Sequence, residues 1–255
     1  MDRLIYTAVS GMNASMMRQR VIASNMANSQ TIGFRVETMQ FTPQTLTTPT
    51  EGDDLEVRSM TSGAVKGASM KAGALTQTGR ELDLAMAGDA LLTVQTPDGG
   101  EGYTRRGDLS VSVSGLVQNG DGLPVIGENG PLTVPLDSRI SIAPDGAVMV
   151  SNPQTPDQPP VRIERLKLVN WRGSQIEKDL SGVFRVPDGS DSFGVLPLDE
   201  DARVTTGALE QSNVNPTDVL VEMIEAQRLY EMRTKLVATA RELDEGGAQL
   251  MRINS

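Results

Sequence analysis

Several acidic motifs in this chain combine residue types that could do chemistry. Asn119-Gly120-Asp121-Gly122 and Pro97-Asp98-Gly99-Gly100 place carboxylates beside glycine, as calcium-binding loops do. A calcium loop of the EF-hand type also needs a spaced run of acids and a closing glutamate, which neither motif has. Arg106-Gly107-Asp108 matches an adhesion tripeptide that chance often produces. We interpret the first two motifs as turns, and we expect no metal site and no cofactor.

Two acidic clusters could suggest acid–base catalysis, which needs positioned carboxyl groups. Asp53-Asp54 and Asp199-Glu200-Asp201 lie in polar stretches, so a solvated acidic surface explains both. The chain has no cysteine and no histidine. This composition removes thiolate nucleophiles, disulfides, Cys-based zinc sites and the usual base at neutral pH. We therefore predict that the protein is not an enzyme, and turnover that depends on Asp199 or Asp201 would contradict this.

Charge and hydropathy exclude further classes of partner. The 255 residues carry a formal net charge of −10, which argues against a nucleic-acid surface and gives an anionic membrane little to attract. No apolar run approaches the roughly 18 to 20 residues of a membrane helix, so we expect no membrane insertion. The first residues lack the basic and apolar regions of a secretory signal. Export would therefore need another route.

The carboxy-terminal stretch has the periodicity of one long helix. Pro216-Thr217-Asp218 suits a helix start, and no glycine follows before Gly246. A helix of about thirty residues spans roughly 45 Å, so we expect it to pair with a helix of similar length. Leucine recurs every seven residues, a spacing that keeps one seam facing a partner helix. These leucines are Leu229, Leu236, Leu243 and Leu250.

The other end of the chain provides a partner. A helical stripe runs from Leu4 to about Ala27, and it is interrupted at Gly11, Ser15 and Gln19. It contains several methionines, which fill gaps between surfaces that do not match perfectly. Both an ordinary core helix and an interaction helix fit this pattern. Residues 1–35 have a net charge of +3 and residues 216–255 of −2, which favours association of the two ends.

The middle of the chain has two compositions. Residues 42–78 are rich in Thr, Ser, Gly and Pro, which is typical of an extended connector or a mobile linker, and we assign residues 36–78 to an extended connector. Residues 79–212 alternate apolar and polar side chains, with turn signals every eight to twelve residues, which predicts an antiparallel β-rich domain. The predicted fold class is α+β. Residues 1–35 with 213–255 would form a discontinuous helical assembly domain, its helices paired like a coiled coil.

Both ends also carry sequence signatures. Residues 24–35 contain paired asparagines ahead of a threonine, then Gly33-Phe34 and a basic residue. Residues 211–216 and 223–232 look like the matching carboxy-terminal signature. Together they resemble the flagellar axial proteins, the family of rod, hook and hook-associated subunits. Residues 1–8 and 239–245 are most similar to the proximal-rod members of this family.

The resemblance implies a structural subunit of the flagellar basal-body rod. Such subunits pass through the flagellar type III export apparatus and polymerise through their terminal helices into a tube in the periplasmic space, which serves motility. The implied partners are the protein itself, other proximal and distal rod subunits, and the export apparatus. A distal-rod or hook subunit is an alternative in the same family. A secreted coiled-coil adhesin or tail-fibre protein is an alternative of another class.

We expect assembly contacts from the methionine-containing apolar stripe of the first helix, from the leucine repeat of the last helix and from both signatures. The residues are Ile5, Met12, Met16, Asn25, Met26, Asn28, Gly33, Phe34, Asn213, Asn215, Met223, Gln227, Leu229, Tyr230, Leu236 and Leu243. The asparagines either hydrogen-bond at helix ends and between subunits, or serve only as local caps and turns. We expect Gly33 to adopt a left-handed turn after the first helix, with Phe34 as its anchor.

Proteolysis of the free subunit tests whether its ends are less protected than its β-rich domain. In a dilute solution, a protease should cleave within residues 1–30 and 225–255 before it cleaves within residues 79–212, because the ends await partners. Limited proteolysis followed by mass spectrometry of the fragments measures the order of cleavage. Terminal segments that outlast the β-rich domain would contradict the prediction.

Overall fold

The computed structural model describes residues 2–48, 55–136, 138–152, 158–179, 181–187 and 193–253. A helix stands at each end of the chain, and strands lie between them, so the predicted α+β class is confirmed. The elements are α1 (Asp2–Ala27), β1 (Glu37–Thr48), β2 (Leu55–Ala68), β3 (Leu75–Gln77), β4 (Leu84–Met86), β5 (Ala90–Gln95), β6 (Glu101–Thr104), β7 (Ser110–Val111), β8 (Val117–Gln118), β9 (Arg139–Ile142), β10 (Ala147–Ser151), β11 (Val161–Arg165), β12 (Leu168–Asn170), β13 (Glu177–Lys178), β14 (Phe184–Pro187), β15 (Phe193–Gly194), β16 (Val204–Thr206), β17 (Ala208–Glu210) and α2 (Pro216–Ile253).

The chain divides into two compact units. The helical unit comprises Met1–Ala27, Glu37–Lys66 and Asn215–Ser255, and the β-rich unit comprises Asn28–Val36 and Gly67–Val214. Strands β1 and β2 form a two-stranded sheet in the range for which the sequence predicted an extended connector. The domain boundaries inferred from the sequence differ from these limits, and that division stays a prediction.

Helix α2 begins where the sequence predicted. The side-chain oxygen of Asn215 accepts a hydrogen bond from the Thr217 amide (3.1 Å), and its carbonyl accepts the first helical bond from Val219 (3.1 Å). Asn215 is therefore the N-cap, and Pro216 occupies the first helical position, where its missing N–H is no loss. The helix has 38 residues and continues beyond Gly246, so it is longer than expected. Over the described residues, neither helix is apolar enough to cross a membrane.

Antiparallel pairing dominates the β-rich unit. A six-stranded sheet has the order β12-β5-β6-β14-β13, with β15 added on β14, and a second sheet has the order β11-β10-β9. Three two-stranded sheets join β16 to β4, β17 to β3 and β7 to β8. The predicted turns at Pro97-Asp98-Gly99-Gly100 and Pro144-Asp145-Gly146 connect β5 to β6 and β9 to β10. The prediction of an antiparallel β region is confirmed.

The core of this unit has two parts. The larger is aliphatic and includes Leu84, Leu92 and Leu168, all completely buried. The smaller contains the aromatic rings of Tyr103 and Phe184. The Tyr103 hydroxyl accepts a hydrogen bond from the Leu196 amide (2.7 Å) and donates one to Glu101 Oε2 (3.2 Å). Burial, more than the nearby carboxylate, raises the pKa of Tyr103 to about 12.

Stability at alkaline pH follows from this tyrosine. Its pKa in the folded protein lies above the ordinary value near 10, so its stabilising contribution is complete below pH 10 and is lost as pH rises towards 12. Tyr103→Phe leaves the Leu196 amide without its acceptor, which should lower the free energy of unfolding by about 1–3 kcal/mol at pH 8. Urea unfolding at pH 8 and at pH 11 measures both effects. An equal alkaline loss in both proteins would contradict the assignment to Tyr103.

Candidate assembly site at the junction of the terminal motifs

Segments from both signatures meet inside the β-rich unit. The Gly33 amide donates to the carbonyl of Glu210 (2.8 Å), and the Asn213 amide donates to the carbonyl of Phe34 (3.2 Å). We call the contacts among residues 33–36, 69–73 and 210–213, with Arg105, the motif junction. Strand β17 supplies Glu210, and its pairing with β3 fixes the carboxylate beside the turn that follows β2.

A buried carboxylate between two guanidinium groups forms its centre. Glu210 is 1% exposed, and its Oε1 accepts hydrogen bonds from Arg35 Nη2 (2.7 Å) and from the Gly73 amide (2.7 Å). Its Oε2 accepts one from Arg105 Nε (2.8 Å). Burial lowers the pKa of Arg35 below its ordinary value; attraction to Glu210 raises it, and repulsion from Arg105 lowers it further. The three side chains carry one net positive charge out of reach of water.

Backbone carbonyl groups accommodate this excess of positive charge. Arg105 Nη1 donates to the carbonyls of Gly88 (2.9 Å) and Ala90 (2.6 Å). Arg35 Nη1 donates to the carbonyl of Lys71. Carbonyl dipoles stabilise a guanidinium ion without adding a second charge, and a buried ion pair is favourable only when such bonds complete it. The arginines therefore position the backbone as well as the carboxylate.

Two glycines allow the backbones to approach this closely. Gly33 has φ +69°, which confirms the predicted left-handed turn, and a Cβ there would lie 2.5 Å from the Arg105 carbonyl carbon. A Cβ on Gly73 would lie 2.0 Å from the carbonyl oxygen of Gln211. Any side chain at either position would push apart segments that the buried ions hold together.

Asn213 joins three separate chain segments. Its Oδ1 accepts a hydrogen bond from the Val36 amide (2.7 Å), and its Nδ2 donates to the carbonyls of Ser69 (2.9 Å) and Lys71 (2.8 Å). The Ser69 amide in turn donates to the Val36 carbonyl (2.8 Å). This asparagine is a long-range clamp within one subunit.

The other signature residues have local partners. Asn25, in the helical unit, bonds both backbone groups of Glu37: its Nδ2 donates to the carbonyl (3.1 Å) and its Oδ1 accepts from the amide (2.8 Å). Asn28 Oδ1 accepts from Thr31 Oγ1 (3.1 Å). The Phe34 ring lies 3.5 Å below Lys178 Nζ, a cation–π contact. These contacts fit the interpretation of asparagines as caps and turns, and their role between subunits stays a prediction.

The two helices contact each other in antiparallel order. Gln19 Nε2 donates to the carbonyl of Ala226 (3.5 Å), whereas Arg233, one heptad further along α2, bonds the earlier Gly11 carbonyl and Ser15 hydroxyl. The interruptions in the stripe of α1 therefore face α2. Small and polar residues there leave room for the arginine, and an apolar side chain would not offer it an acceptor.

The seam of α2 differs from the one that the leucine repeat indicated. Leu236 is 61% exposed, so at this position the repeat does not face α1, whereas Leu229 is half-buried. Buried and half-buried residues recur instead at spacings of four and three. They are Val219, Met223, Ala226, Tyr230, Arg233 and Val237, with Leu229 also half-buried beside Tyr230. The observed seam also repeats every seven residues, at positions shifted around the helix from those of the leucines. Coiled-coil pairing itself stays a prediction.

The predicted assembly residues fall into three groups by burial. Asn25 and Gly33 are buried, and Met16, Asn215, Gln227 and Leu236 are exposed. Half-buried positions are Met12, Met26, Asn28, Phe34, Asn213, Met223, Leu229 and Tyr230. The side chains of Ile5 and Leu243 lie outside the described residues. Sequence reasoning missed Glu210, Arg105, Gly73 and Arg233, and the only signal was a charged residue ending the apolar pair Ala208-Leu209.

One arginine forms ion pairs with the carboxylates of the loop around Asp121. Arg106 pairs with Asp108 (Nε to Oδ1, 2.8 Å) and with Asp121 (Nη1 to Oδ1, 2.6 Å). Asn119 Oδ1 accepts the amides of Asp121 (3.0 Å) and Leu123 (2.9 Å), which makes the motif a turn. The Arg-Gly-Asp tripeptide is part of this arrangement, because its arginine and aspartate bind each other.

The remaining acidic motifs have similar explanations. Hydrogen bonds from Arg185 and Thr96 hold the pKa of Asp98 well below its usual range. Asp199 Oδ1 accepts the Asp201 amide (3.0 Å), a turn contact. Asp53-Asp54 lies outside the described residues. These contacts give the carboxylates structural roles.

Comparison with known proteins identifies relatives along almost the whole chain. Three family models match: "Flagella basal body rod protein" at residues 5–35, "Flagellar hook protein FlgE/F/G D1 domain" at 85–150, and "Flagellar basal body rod FlgEFG protein C-terminal" at 205–250. The chain is 37% identical to the flagellar basal-body rod protein FlgF of Salmonella typhimurium, over 98% of this chain and 99% of the relative. It is 38% identical to FlgF of Escherichia coli, over 94% of both chains. With the flagellar basal-body rod protein FlgG of Bacillus subtilis the identity is 30%, over 95% of this chain and 97% of the relative.

The buried carboxylate gives a stability test of the junction. Glu210→Gln leaves two buried guanidinium groups without a counter-charge, and breaking a buried pair in this way costs about 3–5 kcal/mol. Urea unfolding should show this loss. Glu128→Gln, at an exposed carboxylate of the same unit, is the matched control and should change stability by less than about 0.5 kcal/mol. Equal effects of the two substitutions would contradict the central role of Glu210.

Proposed function

This chain belongs to the flagellar basal-body rod protein family, and we propose that it is a structural subunit of the proximal part of the rod. It assembles through its terminal helices with copies of itself and with other rod subunits. The higher identity to the two FlgF proteins than to the FlgG protein supports the proximal position. No step of this function requires catalysis.

The single observation that carries the proposal is a second apolar face on α2. Val221, Met232 and Leu236 are all exposed. At about 100° per residue they lie within about 60° of one another, with the exposed Glu225 among them, and well away from the seam that faces α1. A helix that is apolar on two faces needs two partners. Helix α1 covers one face, and the other has no cover within the described part of this subunit.

A further subunit is the occupant that fits this face best. The 38 residues of α2 extend over about 57 Å, and the exposed side chains are spread along the helix. Aliphatic and thioether side chains tolerate the slightly different contacts that neighbouring subunits make in a tube. Met16 and Val9 expose further apolar surface on α1, also on the side away from Gly11 and Ser15.

The motif junction supports assembly indirectly. Residues 36 and 213 are neighbours of the points where the chain leaves the β-rich unit, and Asn213 bonds the Val36 amide. This bond holds the two positions close together within the β-rich unit.

Location and export complete the proposal. The subunit leaves the cytoplasm through the flagellar type III apparatus and assembles in the periplasmic part of the basal body. This rests on the family, whose relatives are named basal-body rod proteins. A distal-rod or hook position is the second candidate, because residues 85–150 match a domain shared with hook proteins. The position of the subunit in purified basal bodies, determined by labelling and electron microscopy, separates the two.

A complementation experiment tests the interface. A strain of the source bacterium that lacks the gene should not swim, and the wild-type gene should restore swimming. Leu236→Asp places a charge on the exposed apolar face, so we expect swimming to fall at least about tenfold, since burying an unpaired charge is costly. Spreading in soft agar and electron microscopy of basal bodies are the measurements.

The control is Ala238→Asp, an exposed position about 160° away from Leu236 around the helix. It introduces the same charge in the same turn and should leave swimming unchanged. Circular dichroism of both purified variants verifies the helices. Normal swimming with Leu236→Asp, or loss with both variants, would be inconsistent with a specific assembly face.

A further inference from the structure

We propose that Met16, Met17 and Met232 form a peroxide-sensitive methionine set, and that their oxidation to sulfoxides prevents the subunit from assembling. This inference rests on the proposed function, because its consequence is the loss of the subunit's contact with its neighbours. The set is defined by exposure on the two helices. The side chains are 42%, 43% and 59% exposed, respectively.

The composition directs oxidants to these thioethers. The chain has thirteen methionines and no cysteine, so thioethers are its only oxidisable sulfur groups. Met86 shows the opposite environment, because it is 3% exposed within the aliphatic core of the β-rich unit. Peroxide reaches an exposed sulfur directly, whereas it reaches a buried one only when the structure opens locally.

The positions of the three residues explain why their oxidation would affect contact with other subunits. Met232 lies one helical turn before Leu236, on the exposed apolar face of α2. Met16 and Met17 directly follow Ser15, which bonds Arg233, and at about 100° per residue they lie about 100° and about 160° around the helix from it, with side chains 42% and 43% exposed. The oxidised groups therefore lie outside the contact between α1 and α2. Oxidation should leave the helix pair intact and change only the surface available to other subunits.

The chemistry is a balanced two-electron oxidation. The methionine sulfur gains one oxygen atom from hydrogen peroxide, and the peroxide is reduced to water. The product is a polar sulfoxide in place of an apolar thioether, which disfavours burial in an apolar interface. Methionine sulfoxide reductases reverse the change. The modification would thus prevent incorporation of free subunits while oxidant is present and permit it again after reduction.

The first measurement locates the modification and does not depend on assembly. Purified wild-type protein is treated with dilute hydrogen peroxide, and sulfoxides are quantified by peptide mass spectrometry over time. We expect Met16, Met17 and Met232 to be oxidised at least about tenfold faster than Met86. Unchanged circular dichroism is expected after their oxidation. Equal rates at Met86, or loss of helix signal, would overturn the proposal.

The second measurement determines the consequence. Labelled subunit is bound to basal bodies isolated from a strain that lacks the gene, before and after peroxide treatment. Oxidation should weaken binding of the wild type at least about tenfold, and reduction by sulfoxide reductases should restore it. The triple variant Met16→Leu, Met17→Leu and Met232→Leu keeps the apolar surface and should bind equally in both conditions. Met149→Leu, at a half-buried methionine in β10, is the control and should remain sensitive.

The outcomes separate this inference from the proposed function. Binding of the wild type that survives oxidation of the three methionines overturns the inference and leaves the function in place. Peroxide sensitivity in the triple leucine variant also overturns it. If untreated protein does not bind the basal bodies, the proposed function fails and the consequence of oxidation fails with it, and the peptide rates alone then decide the modification site.

Discussion

The carboxylate of Glu210, held between two buried guanidinium groups, is the interaction on which the arrangement of the β-rich unit depends. It gathers a turn from the amino-terminal signature, a turn after β2 and the last strand before α2. Removal of water makes each bond strong and makes the loss of any partner costly. Glycines at positions 33 and 73 are required because the same bonds bring backbones close together.

The helical unit follows a different physical rule. Helix α1 presents small and polar residues to α2, and α2 contributes an arginine together with apolar and aromatic side chains. Both helices also retain exposed apolar side chains on other faces. Such surface is a liability for an isolated soluble protein and an advantage for a subunit that is to be incorporated between neighbours. Exposed methionines on these faces are adaptable in contact and, for the same reason of exposure, open to oxidation.

The acidic motifs have structural roles that their sequence alone does not reveal. The carboxylate of residue 98 is paired with an arginine of β14, and those of residues 108 and 121 are paired with Arg106. Each carboxylate fixes a loop conformation through hydrogen bonds to backbone amides or guanidinium groups. An acidic chain with many tight turns thereby uses several of its charges for structure.

The sequence by itself determined the helices, the turns and the family signatures, because these depend on neighbours within a few positions. Proline at position 216, the period of the apolar residues and the Pro-Asp-Gly turns are local signals. Only the tertiary structure decided that Glu210 meets Arg105, 105 positions earlier, because an isolated charged residue looks like a surface residue until its partner is known. It also decided that Gly11, Ser15 and Gln19 face α2 and that Leu236 does not. A seven-residue repeat indicates that a helix has a packing seam. Packing against a particular partner then determines which of several apolar faces forms that seam.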